Sequence, residues 1–600
     1  MAAQYVIGID LGTTHSVLAY APLGDEPGPV SVLEVPQLVA PGTIEARAML
    51  PSFLYLGTDK DAAAGAFDLP WQAQARDVVG ELARRQSADV PTRTVVAAKS
   101  WLCHSRVDRH QAILPHNAPA DVPKVSPVEA SRRYLAHLAA AWEHAMPDAP
   151  LAEQQVVLTV PASFDASARE LTREAALAAG LPEGLVLLEE PQAALYAWLV
   201  DQGEAWRRQL KLGDTLLVCD IGGGTTDFTL IAVEQEAGEL ALRRIAVGSH
   251  ILVGGDNMDL ALAHRAAGAF EQKGTKLDPW QSVSLWHACR TAKETLLATG
   301  GPEKHTISVL GRGSRLVGGT VSIEMTRDEA SELLVEGFLP RVVATDKPTR
   351  RRASGFLELG LPYEADTAVT RHLAGFLAAQ GDASSGPIRP THVLVNGGVF
   401  KSDLLRTRLF DVLASWYPGQ EPPRALVGNR DLDLAVARGA AYYGAAKRTK
   451  GIRIRGGTAR SYYVGIETAG LAIPGAPRPL RALCVVPRGM EEGTETDVPS
   501  GEIGLVVGES AQFRFFSSLV RKDDKPGDML SAWSDDEVSE TDSLEADLPA
   551  VAELEDQYVP VRFQAKITEL GVLELWCVST VSDHRWKLEF SVRDDAERVP

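Results

Sequence analysis

The stretch Leu216-Leu-Val-Cys-Asp-Ile-Gly-Gly-Gly-Thr-Thr-Asp-Phe-Thr-Leu-Ile231 decides how the rest of the chain is read. An apolar run closes on Asp220, three glycines and two threonines follow, and a second apolar run opens after Asp227. The pattern predicts a strand, a tight turn and a strand, with a carboxylate at each end of the turn. Glycines without Cβ let backbone N–H groups converge on an anion. Two carboxylates beside that anion make sense when a cation lies between them, and the natural occupant is a nucleotide phosphate with Mg²⁺.

Working outward, Val6-Ile-Gly-Ile-Asp-Leu-Gly-Thr-Thr-His-Ser-Val-Leu-Ala-Tyr20 repeats this grammar, with Asp10, Gly12, Thr13 and Thr14 in the places of Asp220 and the run Gly222 to Thr226. Either hairpin alone reads equally well as a glycine turn between core strands. The pair argues for two related α/β lobes facing a common cleft. Between them, Leu50 to Leu56 predicts an alternating strand, and Thr92 to Leu102 puts Lys99 at the end of an apolar segment. That lysine is either a snorkelling surface residue or a cation reaching a transferring phosphoryl group. Gln155 to Val160 predicts a strand stopped by Pro161, and an Ala-rich helix follows through Ala179 to Gly180. In Leu185-Val-Leu-Leu-Glu-Glu-Pro191, Glu190 stands where a strand gives way to a helix. Ligands often bind there in an open α/β sheet, although a carboxylate at that place also simply complements the helix dipole.

Beyond the central hairpin, Gly254 and Gly255 form a turn before a helix from Leu260 to Gln272, and a helix from Trp286 to Leu297 carries Arg290 and Lys293. Pro390 to Phe400 predicts a strand and a turn at Gly397 and Gly398, with a helix from about Asp403. Asp433 to Tyr443 is rich in small residues and suits a closely packed helix near that turn. Lys347 to Arg352 reads as a solvated basic loop. A boundary falls near Arg448 to Gly457, after which short alternating segments predict a β-sandwich, interrupted by a mobile acidic loop over 523–556. The division expected is thus a nucleotide-binding unit over 1–448, with lobes at about 1–212 and 213–448, a linker over 449–457 and a β-sandwich over 458–600.

At 600 residues the chain is too long for one core, and 45% hydrophobic content marks it as globular. A net charge of −19 argues against a general nucleic-acid binder. The five cysteines are scattered without CxxC or zinc-ligand spacing and are expected to be reduced. Without a basic leader or a long apolar run, the chain is expected to be cytoplasmic and not to meet a membrane.

These segments together make the chain resemble the seventy-kilodalton heat-shock family of molecular chaperones, DnaK-type. The resemblance is carried by Ile9 to Ser16, Leu158 to Phe164 with Arg169, Glu190 to Ala194, Asp220 to Phe228, Gly254 to Asp259, Gly397-Gly398 and Asp433 to Ala441, in family order. It implies an actin-like nucleotide-binding domain followed by a β-sandwich that holds extended apolar peptides, using ATP or ADP with Mg²⁺ and with K⁺ as a further candidate ion. Asp10 and Asp220 would hold Mg²⁺ through its waters, and Asp227 would lie near the attacking water. Thr13, Thr14 and Gly223 to Thr225 would grip phosphates, beside Gly12, His15 and Gly222. Lys99 matches the lysine that stabilises charge at the γ-phosphate, and Glu190 its neighbouring carboxylate. Gly254, Gly255, Arg290, Lys293, Gly397, Gly398, Lys401 and Asp433 match the rest of the nucleotide set. Pro161 and Arg169 match the pair that couples nucleotide state to the peptide domain.

The chain departs from the family at several points. His15 replaces an aromatic or amide residue, Arg290 and Glu294 reverse the usual order of charges, and Lys401 stands in for an adenine-stacking arginine. Val186 replaces an arginine used for J-domain docking, which leaves that partner open, as is a nucleotide-exchange factor. The segment Thr449 to Gly457 lacks the apolar, Asp-bearing linker, and no helical lid is expected. The expected function is slow ATP hydrolysis coupled to binding of unfolded polypeptide. A sugar or polyol kinase of the same superfamily, or a nucleotide-gated scaffold or filament former, are the alternatives.

Overall fold

The computed structural model describes residues 3–590 apart from 25–27, 63–64, 105–106, 117, 237, 311–319, 350–360, 362, 382–385, 429–430, 449–453, 468–479, 492, 502, 507–509, 535–536, 542, 548–557 and 569–572. Part of the basic loop, part of the expected linker and part of the acidic stretch therefore lie outside the described residues.

The chain is mixed α/β. Both expected glycine hairpins form, and each sits at the heart of a six-stranded sheet. In the first sheet, Tyr5–Leu11 runs antiparallel to His15–Pro22 on one side and parallel to Gln155–Val160 on the other, with Val186–Glu189 beyond. In the second, Thr215–Ile221 runs antiparallel to Thr226–Glu236 and parallel to His392–Asn396, in the same arrangement. The central strands are buried on both faces, as their unbroken apolar runs require.

Between the sheets lies the helix Ala435–Arg448, against the helix Glu190–Gln202 and the strand Tyr5–Leu11. Small residues make this approach possible. A Cβ on Gly8 would sit 2.3 Å from Ala437 O, and one on Gly439 would sit 1.7 Å from Ala193 O. Separate apolar cores lie behind each sheet, and a third, containing Trp198, Leu216 and Val436, joins them.

Two elements differ from the sequence reading. The segment Leu50 to Leu56 forms two short strands, both wholly buried rather than alternating. The helix expected from Trp286 starts at Pro279, because Asp278 and Gln281 form a reciprocal capping box two turns earlier.

From Ser461 onward the described elements are strands, in a five-stranded and a seven-stranded sheet. Both sheets contribute to one core, with Val464 and Leu483 from the first and Phe563 and Leu575 from the second. The described part of the acidic stretch is not all loop. Met529–Leu530 and Ser539–Glu540 form the two edges of the five-stranded sheet, and Leu544–Asp547 pairs between Ser510–Phe513 and Arg585–Phe590. Its carboxylates find partners: Arg514 binds Glu540 through two bonds of 2.6 Å, and the Tyr463 hydroxyl donates to Asp524 at 2.6 Å.

This β-rich part is seated on the second sheet. Ile454–Arg455, within the stretch expected as a linker, pairs in parallel with Leu242 and Arg243, and Ile454 N donates to the Tyr196 hydroxyl at 2.8 Å. Arg488 donates to the Ile245 carbonyl, and Ala166, from the helix after Pro161, joins the β-rich core.

Candidate functional site

The two hairpin turns open into one cleft of about 640 Å³. They interlock, since a Cβ on Gly223 would lie 2.2 Å from Thr14 Cγ2 and one on Gly224 would lie 3.1 Å from Thr13 Cγ2. Across the second hairpin Asp220 pairs in register with Asp227, and its parallel neighbour is Asn396. Asn396 Nδ2 donates to Asp220 Oδ2 at 2.8 Å, while Thr159 Oγ1 donates to Asp10 Oδ1 at 3.2 Å.

Lys99 is carried by the short helix Ala98–Leu102 and is only 7% exposed. Ala97 before it has φ 54°, a costly conformation for a residue with a side chain. Lys99 Nζ donates to the Glu190 carboxylate, and both line the cleft. The snorkelling alternative therefore does not describe this lysine.

Burial pushes Asp10, Asp220 and Asp227 each up to about 7, and the negative charge of Glu190 adds to the effect. For Lys99, burial works against the charged form, but Glu190 and Asp10 outweigh it and its pKa rises. Four carboxylates facing one ammonium leave negative charge to be offset. In addition, Asp227 Oδ1 is buried with no hydrogen-bond partner among the described residues. These observations suit a divalent cation. Among the described residues no three His, Cys, Asp or Glu side chains converge closely enough to hold a metal directly. The fit is therefore to a hydrated ion, the form Mg²⁺ prefers.

At the other end of the cleft the reversed charges find new partners. Arg290 donates to Asp256 Oδ1 at 2.5 Å and to Asp259 Oδ2 at 2.9 Å, and its guanidinium lies over the rings of Phe53 and Trp286. Lys293 binds Asp259 Oδ1 at 2.6 Å and the Gly255 carbonyl at 2.8 Å. Arg290 is thus paired with carboxylates at the start of the helix Gly255–Gln272 rather than with Glu294 on its own helix. Lys401 pairs with Asp433. His15 lies 3.2 Å from Thr14 Oγ1, and burial pushes its pKa down to about 4, so it is neutral near pH 7.

Of the residues singled out from sequence, Gly12, Thr13, Thr14, Gly222, Gly223, Thr225, Gly255, Gly397 and Gly398 also line the cleft. Gly224 and Gly254 stand just behind it, where a Cβ on Gly254 would meet Gly223 O at 2.6 Å. Pro161 and Arg169 lie away from it. Arg169 donates to Glu189 Oε1 at 2.8 Å beside a small cavity of about 50 Å³, which is also lined by Arg244 and Gly457. Sequence reasoning missed Thr159 and Asn396, whose roles come from strand register. It also gave no role to Asp256 and Asp259, although their spacing from Gly255 was visible.

A family model described as Hsp70 protein matches residues 70–349. Over that stretch the chain is similar to Hsp70 proteins. It is 30% identical over 324 residues to the chaperone protein HscA of Pectobacterium carotovorum, which is 51% of this chain and 44% of that protein. It is 32% identical over 307 residues to an HscA homolog of Bordetella pertussis, 49% of this chain and 42% of that one. The matches thus span less than half of these relatives' lengths. The family match includes Lys99, Glu190, the second hairpin, Arg290 and Lys293. Asp10, Gly397, Lys401 and Asp433 fall outside it and are brought to the same cleft by the two sheets.

Proposed function

We propose that this chain is a chaperone-type ATPase, in which an actin-like two-lobed domain over 1–448 binds and slowly hydrolyses ATP. A β-sandwich from about residue 458 would hold an extended or unfolded polypeptide in the cytoplasm. The observation that carries this reading is the pair of interlocked acidic glycine hairpins closing one cleft around the Lys99–Glu190 ion pair.

In this reading Thr13, Thr14 and the N–H groups of Gly223 to Thr225 hold the phosphates. Lys99 offsets charge at the γ-phosphate, and Glu190 fixes Lys99. Asp227 orients the attacking water and takes up its proton, a role suited to a carboxylate whose pKa burial has pushed up to about 7. Hydrated Mg²⁺, held beside Asp10 and Asp220, would supply the positive charge that phosphate and carboxylates jointly lack. Little covalent chemistry is asked of the protein, since positioning and electrostatics dominate phosphoryl transfer to water.

The test is ATP turnover with and without an unfolded polypeptide, in the wild-type chain and in Lys99→Ala and Arg169→Ala. Turnover should disappear in the first, whereas only the stimulation by polypeptide should disappear in the second. Phosphorylation of a polyol without net phosphate release would replace the reading with that of a kinase.

A further inference from the structure

The five-stranded sheet of the β-rich part has an apolar outer face. Side chains alternate across its strands, so Tyr462, Leu483, Val485 and Phe515 enter the core shared with the seven-stranded sheet, while Tyr463, Ala482, Cys484 and Phe516 point the other way. Such an outward face is ordinarily solvated and polar. Here all four residues are buried, and their cover is the chain's own acidic stretch. Val538, 1% exposed, belongs to the same apolar cluster, and Leu530 and Trp533 pack against it. The Trp533 ring meets Phe516 edge-on, with centroids 5.4 Å apart.

The cover is held mainly at its ends. Met529 and Leu530 pair with Leu483 and Ala482 at one edge of the sheet, and Ser539 and Glu540 pair with Ser517 and Phe516 at the opposite edge. Glu540 adds its two bonds to Arg514, whose guanidinium lies 5.3 Å from the centroid of the Phe516 ring. The Glu537 carbonyl accepts from Ser518 Oγ at 2.5 Å. Between the ends, Ser531, Ala532, Ser534 and Glu537 are exposed, and Trp533 is only half-buried. One tryptophan and one valine thus close a face that the sandwich core does not use. Two short edge pairings and a solvent-exposed ion pair add little against the entropy of ordering the segment, so the cover is removable.

We propose that 529–540 is an internal occupant of a polypeptide-docking face, and that a client enters by displacing it. The proposal rests on the reading of the β-rich part as a holder of extended polypeptide, and it names the face on which that polypeptide lies. The occupant itself displays the chemistry that fits. The client is an extended segment with an aromatic side chain set against Phe516 and a carboxylate on its C-terminal side to meet Arg514. Because the cover competes within the same chain, the affinity of the open face is reduced by the fraction of molecules in which it is closed.

The test is fluorescence anisotropy with the full chain and two probes, a labelled synthetic peptide of residues 529–540 and labelled carboxymethylated lactalbumin, a permanently unfolded protein. Trp533→Ala in the chain removes the main plug and should tighten binding of the peptide about 10-fold or more. The same peptide carrying Trp533→Ala should lose most of that affinity. Glu540→Arg in the chain, at an exposed position, frees one end of the cover and should tighten binding about 3-fold. Arg514→Glu/Glu540→Arg restores the ion pair with its charges exchanged and should return binding to the wild-type level or below. Lactalbumin should follow the peptide in each variant of the chain. Equal peptide affinity for wild type, Trp533→Ala and Glu540→Arg would overturn the proposal alone, as would equal binding of the two peptides. Failure of the wild type and every variant to hold lactalbumin would overturn the polypeptide-holding reading and this proposal with it.

Discussion

Glu189 is the carboxylate that holds two buried arginines where the β-rich part meets the second sheet. Its side chain is 8% exposed, and those of Arg169 and Arg244 are 14% and 5%. Arg244 also donates to the Gly457 carbonyl, so the same cluster ties the incoming chain to the sheet. Glu189→Ala would leave two cations in a site of low polarity, where removing one partner of a buried pair costs about 3–5 kcal/mol. Because Arg169 keeps its bond to the Phe164 carbonyl and Arg244 keeps Gly457, the lower figure of about 3 kcal/mol is expected, roughly a 100-fold shift in seating. The readout is the rate of limited tryptic cleavage within residues 449–457, which follows the population of the opened form when reclosing is fast. Cleavage should speed up strongly in Glu189→Ala and return near the wild-type rate in Glu189→Leu/Arg169→Met/Arg244→Met, where no buried charge is stranded. Unchanged cleavage in the single variant would refute the argument, as would a triple variant that opens even further.

Gly223→Ala should abolish nucleotide binding in calorimetry, since its Cβ would fall 2.2 Å from Thr14 Cγ2 and force the two phosphate turns apart; retained affinity would show that the turns have room to move. Asn396→Leu should weaken Mg²⁺-dependent ATP binding by about 10-fold, because Asp220 Oδ2 loses its donor. His137 is buried, with Nε2 2.9 Å from the Pro36 carbonyl, and burial pushes its pKa down to about 4. The unfolded chain therefore takes up that proton first as pH falls, and stability is lost from about pH 6.5 toward pH 4. Asp10, Asp220 and Asp227 act in the opposite sense because their folded pKa values are raised, so the effect is read as a difference. The melting temperature of the wild type should fall relative to His137→Asn across that window, and a pH-independent difference would contradict the assignment.

Much of the cleft was legible because it is built from local chain. Asp10, Asp220 and Asp227 stand at turns whose glycines and threonines announce the backbone geometry, and the duplication of the hairpin shows in the residues themselves. The functions of Thr159 and Asn396 were not legible, because a hydrogen bond between neighbouring parallel strands depends on register and leaves no local signature. Arg290 was misleading for a related reason. On its helix it faces Glu294 one turn later, yet tertiary packing gives it Asp256 and Asp259. The acidic stretch was expected to be a mobile loop because its composition is acidic and polar, but Arg514 and Arg521, distant or adjacent in sequence, pair with its Glu540 and Asp524.

The central claim is that the cleft hydrolyses ATP by means of Lys99 and the carboxylates around it. Its most direct test is γ-phosphate release from ATP pre-bound to the full chain, started by adding Mg²⁺, in wild type and Lys99→Ala. The account predicts Mg²⁺-dependent release from the wild type and a loss of about 100-fold or more in the variant, the scale expected for removing one preorganised electrostatic group, with ADP binding retained. Release at equal rates from the two proteins, or no release from the wild type, would contradict it.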